Sequence, residues 1–462
     1  MDAERFFTHS LRDLRVARIL TAALDAVNPD TVVERHLTSK PLPPAERVFA
    51  LGLGKAAVPM TQALSRFTEL TRALVITKHA SPLNLQSATT TVPSVGIIES
   101  GHPVPDSRSL AAGKAALEFV SDLGEDDLLV CLISGGGSAL MTSPTVPLED
   151  MQALTAALLA CGARIDEINT LRRHLDRVKG GGIVKATKAR VLSLILSDVV
   201  GSPLEAIASG PTAPDPTTKE GALDAMQKYF NISLRGAAER QPGNLNIDPN
   251  RRLLRSARND IEIPSSILHS LSSHPETPKP DDPLFSRVQN IIVGDNALAV
   301  RAALKQAEQE GFYAESLGSN WQGEAREVGL ELAHKLRVTI MSKSTPFCLV
   351  AGGETTVTIQ GNGKGGRNQE LAMGAVPELD GLENSLLIAL ASDGEDGPTD
   401  AAGAAVNGES LRRAEKMGLT VADYLSRNDS YHFFERLEDL LKIGPTGTNV
   451  NDLVFLMGSG SG

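Results

Sequence analysis

Residues 128–141 read LLVCLISGGGSALM. The first six are apolar without alternation, which predicts a strand buried on both faces, as in a parallel sheet. Ser134, Gly135, Gly136, Gly137 and Ser138 follow at once. Three glycines in a row let the backbone turn sharply, with its N–H groups exposed and no Cβ in the way. At the end of a parallel strand such a loop is a cradle for phosphate or carboxylate oxygens, or simply a tight turn. Several further polar glycine loops at strand ends favour the cradle.

Outward from this stretch, strands alternate with helices. On the N-terminal side, RVFALGL (47–53) runs into Gly54-Lys55-Ala56-Ala57 and a helix, ALVIT (73–77) is a strand, and Gly96 to Glu99 is a short apolar one. In GHPVPDSRS, Pro103 and Pro105 force an extended loop, and Asp106 or Ser107 can cap a helix from Leu110 to Val120. On the C-terminal side come helices Leu148–Cys161 and Asp166–Val178, then strand Arg190–Leu196, which ends in Ser197-Asp198. This alternation predicts a doubly wound, Rossmann-like α/β domain with a parallel sheet over residues 1–242. A helix from Phe6 to Val27 should dock on its body.

Residues 243–285 are rich in Pro, Asn, Ser and charge, and PETPKPDDP reads as a linker or insert. A second α/β domain spans 286–462. It has strands at VQNIIV (288–293), near Ala314, and at Phe347–Ala351, Leu386–Ala391 and LVFLM (453–457), with helices Ala297–Glu310 and Glu324–Leu336.

The 462 residues include 41% hydrophobic and only 4% aromatic side chains, so the core must rest on Val, Leu, Ile and Ala. A net charge of −11 argues against broad nucleic-acid binding and leaves room for a local anion pocket. Cys131, Cys161 and Cys348 lie far apart with no CxxC, which supports neither zinc nor a disulfide framework and fits a reducing compartment. No apolar run is long enough for a membrane span, and the N-terminus has no secretory h-region.

Five further clusters carry chemistry. Lys55, where a strand feeds a helix, can reach phosphate as a point charge, although the Walker A spacing is missing. A lysine at a helix start is unfavourable against the helix dipole unless an anion is present. Asp198 ends a parallel strand on the ligand side of the sheet, where it can hold Mg²⁺, take a proton, or cap a helix. The loop after it, GSPLEAIASGPT, brings Ser209, Gly210 and Thr212 as candidates to line the same cleft. Glu354, in GGETT, precedes Lys364-Gly365-Gly366-Arg367-Asn368, where Arg367 can bind a carboxylate or phosphate through its fork. Asp393, with Glu395, Asp396 and Asp400, forms either a divalent-cation loop or an acidic surface loop. TGTNVND (446–452) closes a ligand loop or makes Asx-turns.

GHPVPDSRS, LISGGGSALM, NTLRRHLDRVKGGG, LSDVVGSPLEAIASGPT, ETPKP, GGETTVTIQGNGKGGRNQELA, ASDGEDGPTDAAGA and TGTNVND together resemble the class II glycerate kinases, also called the MOFRL family. The resemblance runs from about Phe6 to Leu456, with the motifs in the family's order. It implies two α/β domains with the active site in the cleft between them, and ATP-dependent phosphorylation of D-glycerate, usually at the 2-hydroxyl. Lys55 and Arg367 match the family's active-site lysine and arginine. Two departures stand out: a longer, more polar segment from Arg235 to Arg255, and the tail after Val454.

The mechanism this implies is in-line phosphoryl transfer by positioning and charge neutralisation. Lys55 and the Ser134–Ser138 loop (Gly135, Gly136, Gly137) hold phosphates. Asp198 or Asp393 works through Mg²⁺, and one of them orients the glycerate hydroxyl. Arg367, with Glu354 and Asn368, meets the substrate. The expected partners are ATP and D-glycerate, with no nucleic acid or membrane and room for a homodimer. A cytoplasmic location is expected, and a mitochondrial one stays open.

Two other classes remain. Gly52, Gly54 and Ala57 fit the relaxed GxGxxA form of a dinucleotide fingerprint, which suits a hydroxypyruvate or tartronate-semialdehyde reductase. The next strand ends in Thr77-Lys78, without the acid that grips an NAD ribose, although Lys78 suits NADP. The other class is a non-catalytic sensor of phosphorylated sugar acids.

Overall fold

A computed structural model describes residues 1–78, 95–230, 253–255 and 262–459. The chain forms two compact units. One comprises Lys40–Ile195 and Pro203–Ile291; the other comprises Met1–Ser39, Leu196–Ser202 and Ile292–Gly462.

The first unit is built on a sheet of strands β1 (Val48–Leu53), β2 (Arg72–Thr77), β3 (Val95–Glu99), β4 (Leu128–Ile133) and β5 (Arg190–Leu196). A small antiparallel pair, β6 (Leu253–Arg255) and β7 (Glu262–Pro264), lies apart. The main sheet is completed by β8 (Val288–Gly294), along which the chain leaves the unit, and its order is β3-β2-β1-β4-β5-β8. The pairings from β3 to β5 are all parallel. All six residues of β4 are buried, as expected for a central parallel strand with both faces covered. Asp106 caps the helix Ser107–Ser121 with a reciprocal capping box, in agreement with the sequence.

The expected linker belongs to this unit where it is described. Ile267 and Leu271, on the helix Ser265–Ser273, are buried with Leu158, Leu171 and Phe230. Glu276 takes the Lys219 N–H, His174 Nε2 and Lys279 Nζ. The polar character of PETPKPDDP therefore serves a charge network and is not the mark of a free tether. Most of the unusual segment 235–255 lies outside the described residues.

The second unit carries a five-stranded mixed sheet made by β9 (Tyr313–Ser316), β10 (Phe347–Gly353), β11 (Ser385–Ala391), β12 (Gly403–Asn407) and β13 (Asp452–Gly458). Its order is β12-β11-β13-β10-β9, with β13 antiparallel to both neighbours. Helices Ala325–Ser342 and Arg367–Leu379 pack together over a core that includes Leu332, Leu336, Val376, Phe434 and Leu456.

The N-terminal residues, expected in the first domain, pack with this second unit. Helix Leu14–Ala26 lies on helix Asn296–Gln309. The single helix expected from Phe6 to Val27 is interrupted. Asp13 caps at the Arg15 N–H, and upstream Ser10 gives its N–H and hydroxyl to buried Asp439. A buried carboxylate needs such donors, and they outweigh continuation of the helix.

Cys131 and Cys348 are free and buried, and burial pushes both thiols up to about 12. Among the described residues no helix is long and apolar enough to cross a membrane.

Candidate active site

In the parallel sheet the chain steps outward from β1 to β2 and β3 on one side, and from β4 to β5 on the other. Strands β1 and β4 are neighbours, so the order reverses between them, and a crevice at their carboxyl ends is where open α/β sheets take ligands. The sequence puts Gly54-Lys55 after β1 and Ser134–Ser138 after β4.

The two loops are stitched together. Ser134 donates its N–H to the Leu53 carbonyl at 2.8 Å, and the Lys55 N–H donates to the Gly135 carbonyl at 3.0 Å. The Ala56 N–H donates to Ser134 Oγ at 2.9 Å. Gly54 has φ +119°, and a Cβ there would overlap the Ser134 carbonyl and hydroxyl. Gly54→Ala should therefore cost on the order of 2–5 kcal/mol, from left-handed strain plus overpacking. A denaturant titration reads this as a lower midpoint, and a wild-type midpoint would contradict the close apposition.

Gly136 turns the chain at φ +85°, into the short helix Gly137–Leu140. Among the described residues, the N–H groups of Gly135, Gly136, Gly137 and Ser138 have no intrachain acceptor. Four successive donors of this kind form an anion nest. Lys55 is exposed and has no carboxylate partner among the described residues. Its Cγ lies 3.5 Å from where a Gly136 Cβ would stand, and the His102 ring lies 3.1 Å from the same point. Burial, then the charges of Lys55 and Lys78, push His102 down to about 4, so it is neutral at physiological pH. Ser138 Oγ and Ser209 Oγ are 2.7 Å apart. Ser209 therefore joins this loop. Thr212 does not: it is buried and bonds Ser193 and Asn290.

A second cluster lies within the other unit. Asp452 opens the central strand β13, paired with Gly353 on one side and Ala391 on the other. Arg367 Nε reaches Asp452 Oδ2 at 2.6 Å, its Nη2 reaches Oδ1 at 3.2 Å, and its Nη1 reaches Glu354 Oε1 at 2.6 Å. Burial opposes the guanidinium's charge, but Asp452 and Glu354 more than offset it and raise its pKa. Burial pushes Asp452 up to about 7, with Arg367 and Asn368 pulling back. Asp396 is pushed by burial to about 6, against the pull of the Gln369 and Asn368 N–H groups it caps. A Cβ on Gly366 would overlap the Asp396 carboxyl, which accounts for one glycine of GKGGRNQ by packing.

Several of the expected site residues have partners within this unit. Asn368, expected at the substrate, is buried, and its amide donates to Asp452 at 2.9 Å and to Asp396 at 3.3 Å. Arg367 is neutralised in place, so it meets a ligand only through its remaining N–H groups or by displacing half-exposed Glu354. The acidic loop does not converge on a cation: Asp396 turns inward as a helix cap, and Asp400 pairs with Tyr431 and Lys442. Asp393 remains at the end of β11, half-buried, and its Oδ1 accepts the Glu395 N–H at 3.1 Å. Asp198 stands just past β5, also half-buried. TGTNVND does make an Asx-turn, with the Asn451 N–H on Asn449 Oδ1, and also ties down the Asp393 loop through Thr446 and Ser392.

Residues 15–238 match a family described as Domain of unknown function (DUF4147), and residues 347–452 match the MOFRL family. A glycerate 2-kinase of Pyrococcus horikoshii is 38% identical over 88% of this chain and 87% of its own length. A crystal structure of the Thermotoga maritima glycerate kinase, 36% identical, superposes with a TM-score of 0.79 over 96% of this chain and 98% of that one. The chain belongs to the class II glycerate kinases. A similar protein of Agrobacterium vitis, 35% identical over 94% of this chain and 92% of its own length, carries the name of a hydroxypyruvate reductase.

As a member of the class II glycerate kinases, the chain has loops whose chemistry can be matched to a nucleotide. The N–H groups of Gly135–Ser138 and Lys55, without partners among the described residues, fit phosphate oxygens. Mg²⁺ bound with nucleotide needs only one or two protein carboxylates beside phosphates and water, so half-buried Asp198 or Asp393 fits it. Among the described residues no group of three or more His, Cys, Asp or Glu is placed to hold a metal without such help. The dinucleotide fingerprint fits less well. Its helix-start N–H groups should face a pyrophosphate, yet those of Lys55 and Ala56 are already given to Gly135 and Ser134.

Sequence reasoning did not single out His102, and it took Asp452 only as part of the TGTNVND loop, not as the partner of Arg367. His102 sat inside GHPVPDSRS with no partner in sequence, and Asp452 becomes Arg367's counter-ion only through strand pairing 85 residues away.

Proposed function

We propose that this chain transfers the γ-phosphoryl group of ATP to D-glycerate at the 2-hydroxyl, giving 2-phospho-D-glycerate, with Mg²⁺. The observation that carries the reading is the row of four N–H groups beside a lysine, all without partners among the described residues, at the reversal point of a parallel sheet. The glycerate kinase names of the relatives supply the substrate class.

In this reading the Gly135–Ser138 N–H groups bind and orient phosphate oxygens, and Lys55 offsets the charge that gathers on them in the transition state. His102, neutral beside Lys55, can share a hydrogen bond with a phosphate without adding repulsion between cations. Asp198 and Asp393 are the candidates to hold the metal, which when bound neutralises phosphate charge, and one of them orients the acceptor hydroxyl. Arg367 stabilises the reaction from the Asp452–Glu354 cluster.

The test is ADP release from ATP by the purified protein. D-glycerate should stimulate it, and glycerol should be at least about 10²-fold poorer, because a site built to pair a carboxylate is left with an uncompensated cation. Release should stop when Mg²⁺ is chelated. The Agrobacterium relative's name motivates a parallel arm with hydroxypyruvate and NADPH. Nicotinamide oxidation without glycerate-stimulated ADP release would replace the kinase reading with the reductase one.

A further inference from the structure

The motif NTLRRHLDRVKGGG has two adjacent arginines on the helix Ile165–His174, and they have opposite fates. Arg173 shares a face with Thr170 and His174. It is buried and its donors are spoken for: Nε to Asp215 at 2.8 Å, Nη1 to the Glu205 carbonyl at 3.2 Å. Arg172 lies on the face of Asn169. It is half-buried, and among the described residues its side chain makes a single long contact of 3.5 Å, to Asn169 Oδ1, and has no carboxylate partner. A guanidinium withdrawn from water with its fork unfilled is costly unless an anion completes it.

Its surroundings add positive charge. Lys179 is buried and bonds Asp176 at 2.7 Å and the Met141 carbonyl at 3.0 Å. Burial lowers the pKa of both cations, and the nearby charge of Arg172 adds to the effect on Lys179. Asp176 balances Lys179, so among the described residues Arg172 is left without a paired carboxylate. The segment that follows, Lys179-Gly180, touches the phosphate cradle. Met141 directly follows the loop helix Gly137–Leu140, and the Gly180 N–H donates to the carbonyl of Ser209, whose hydroxyl meets Ser138.

We propose that Arg172 grips the carboxylate of the acceptor substrate. This rests on the glycerate kinase reading, and reassigns to Arg172 the carboxylate-binding role expected of Arg367, whose charge Asp452 and Glu354 already neutralise. A planar fork matches a carboxylate through two parallel N–H bonds, whereas the loop N–H groups and the point charge of Lys55 suit phosphate.

Equilibrium binding of D-glycerate and of its neutral amide, by titration calorimetry on wild type, Arg172→Gln and Arg172→Lys, tests this. Wild type should prefer the acid. In Arg172→Gln, acid affinity should fall about 10²-fold and the acid-to-amide preference should collapse, with KM for ATP within twofold of wild type. Arg172→Lys, which keeps the charge without the fork, should recover part of the preference. A merely structural role would lower the melting temperature and leave the acid-to-amide ratio intact, which would overturn the proposal. So would a rise in KM for ATP with glycerate binding unchanged. Wild-type protein that binds no glycerate would overturn both the kinase reading and this inference. Wild type that binds it, alongside variants that bind it equally well, would overturn the inference alone.

Discussion

Lys55→Ala should lower kcat by at least about 10²-fold, the range seen when a group that stabilises transition-state charge is lost. It should leave the melting temperature within a few degrees of wild type. The two expectations share one observation: the side chain is exposed and has no carboxylate partner among the described residues. Exposed substitutions away from caps and networks change stability little. The backbone of residue 55 does matter to the fold, through its bond to Gly135, and alanine keeps that bond. Lys55→Arg should retain part of the activity, since charge is kept but placement shifts. Steady-state kinetics with a melting curve on the same sample decide it. A near-normal kcat, or a large drop in melting temperature with kcat preserved in the folded protein, would remove Lys55 from the chemistry.

Arg367→Ala should behave differently, because it leaves buried Asp452 without its half-buried partner as well as removing a candidate catalytic charge. Taking one partner from a fully buried ion pair destabilises by about 3–5 kcal/mol, and the partial exposure of Arg367 puts the expected loss at or below the lower end of that range. The loss should depend on pH. Asp452 and Asp396 have folded values of about 7 and about 6, above the 3.8 of the free carboxyl. Between roughly pH 4 and those values the unfolded chain releases protons that the folded chain keeps, so stability falls as pH rises through that window. Arg367 pulls both values down. Without it they rise further and the window extends upward. The difference between wild type and Arg367→Ala should therefore be larger at pH 8 than at pH 5. Denaturant titrations at the two pH values measure it, and an equal difference at both would show that the Arg367–Asp452 pair is not coupled to protonation. Activity per folded molecule should also fall by about 10²-fold.

Much of the first unit was legible because parallel strands announce themselves. LLVCLI and RVLSLIL are apolar on both faces, each ends in small polar residues, and helices with readable caps intervene. The strand-end rule puts Lys55 and the Ser134–Ser138 loop on the ligand side of one sheet. The second sheet was harder. β10, β11 and β13 are equally apolar runs, and nothing in their composition says that β13 inserts between the other two and runs antiparallel to both. That insertion brings Asp452 to Arg367, so the neutralisation of Arg367 was beyond reach from sequence.

Local breaks were hidden for a similar reason. The helix expected over Asp166–Val178 stops at His174, because Asp176 turns inward to Ser143 and Lys179. Periodicity shows which residues want burial, but not which buried carboxylate will draw donors out of a helix.

Phosphorus NMR of the product formed from ATP and D-glycerate tests the account most directly. It separates the 2- and 3-phosphates and registers phosphoryl transfer itself. The account predicts a new resonance of 2-phosphoglycerate growing with that of ADP, absent without enzyme and absent with Lys55→Ala on the same time scale. A 3-phosphoglycerate resonance would contradict the assigned position of transfer, and no phosphorylated glycerate at all would contradict the kinase reading.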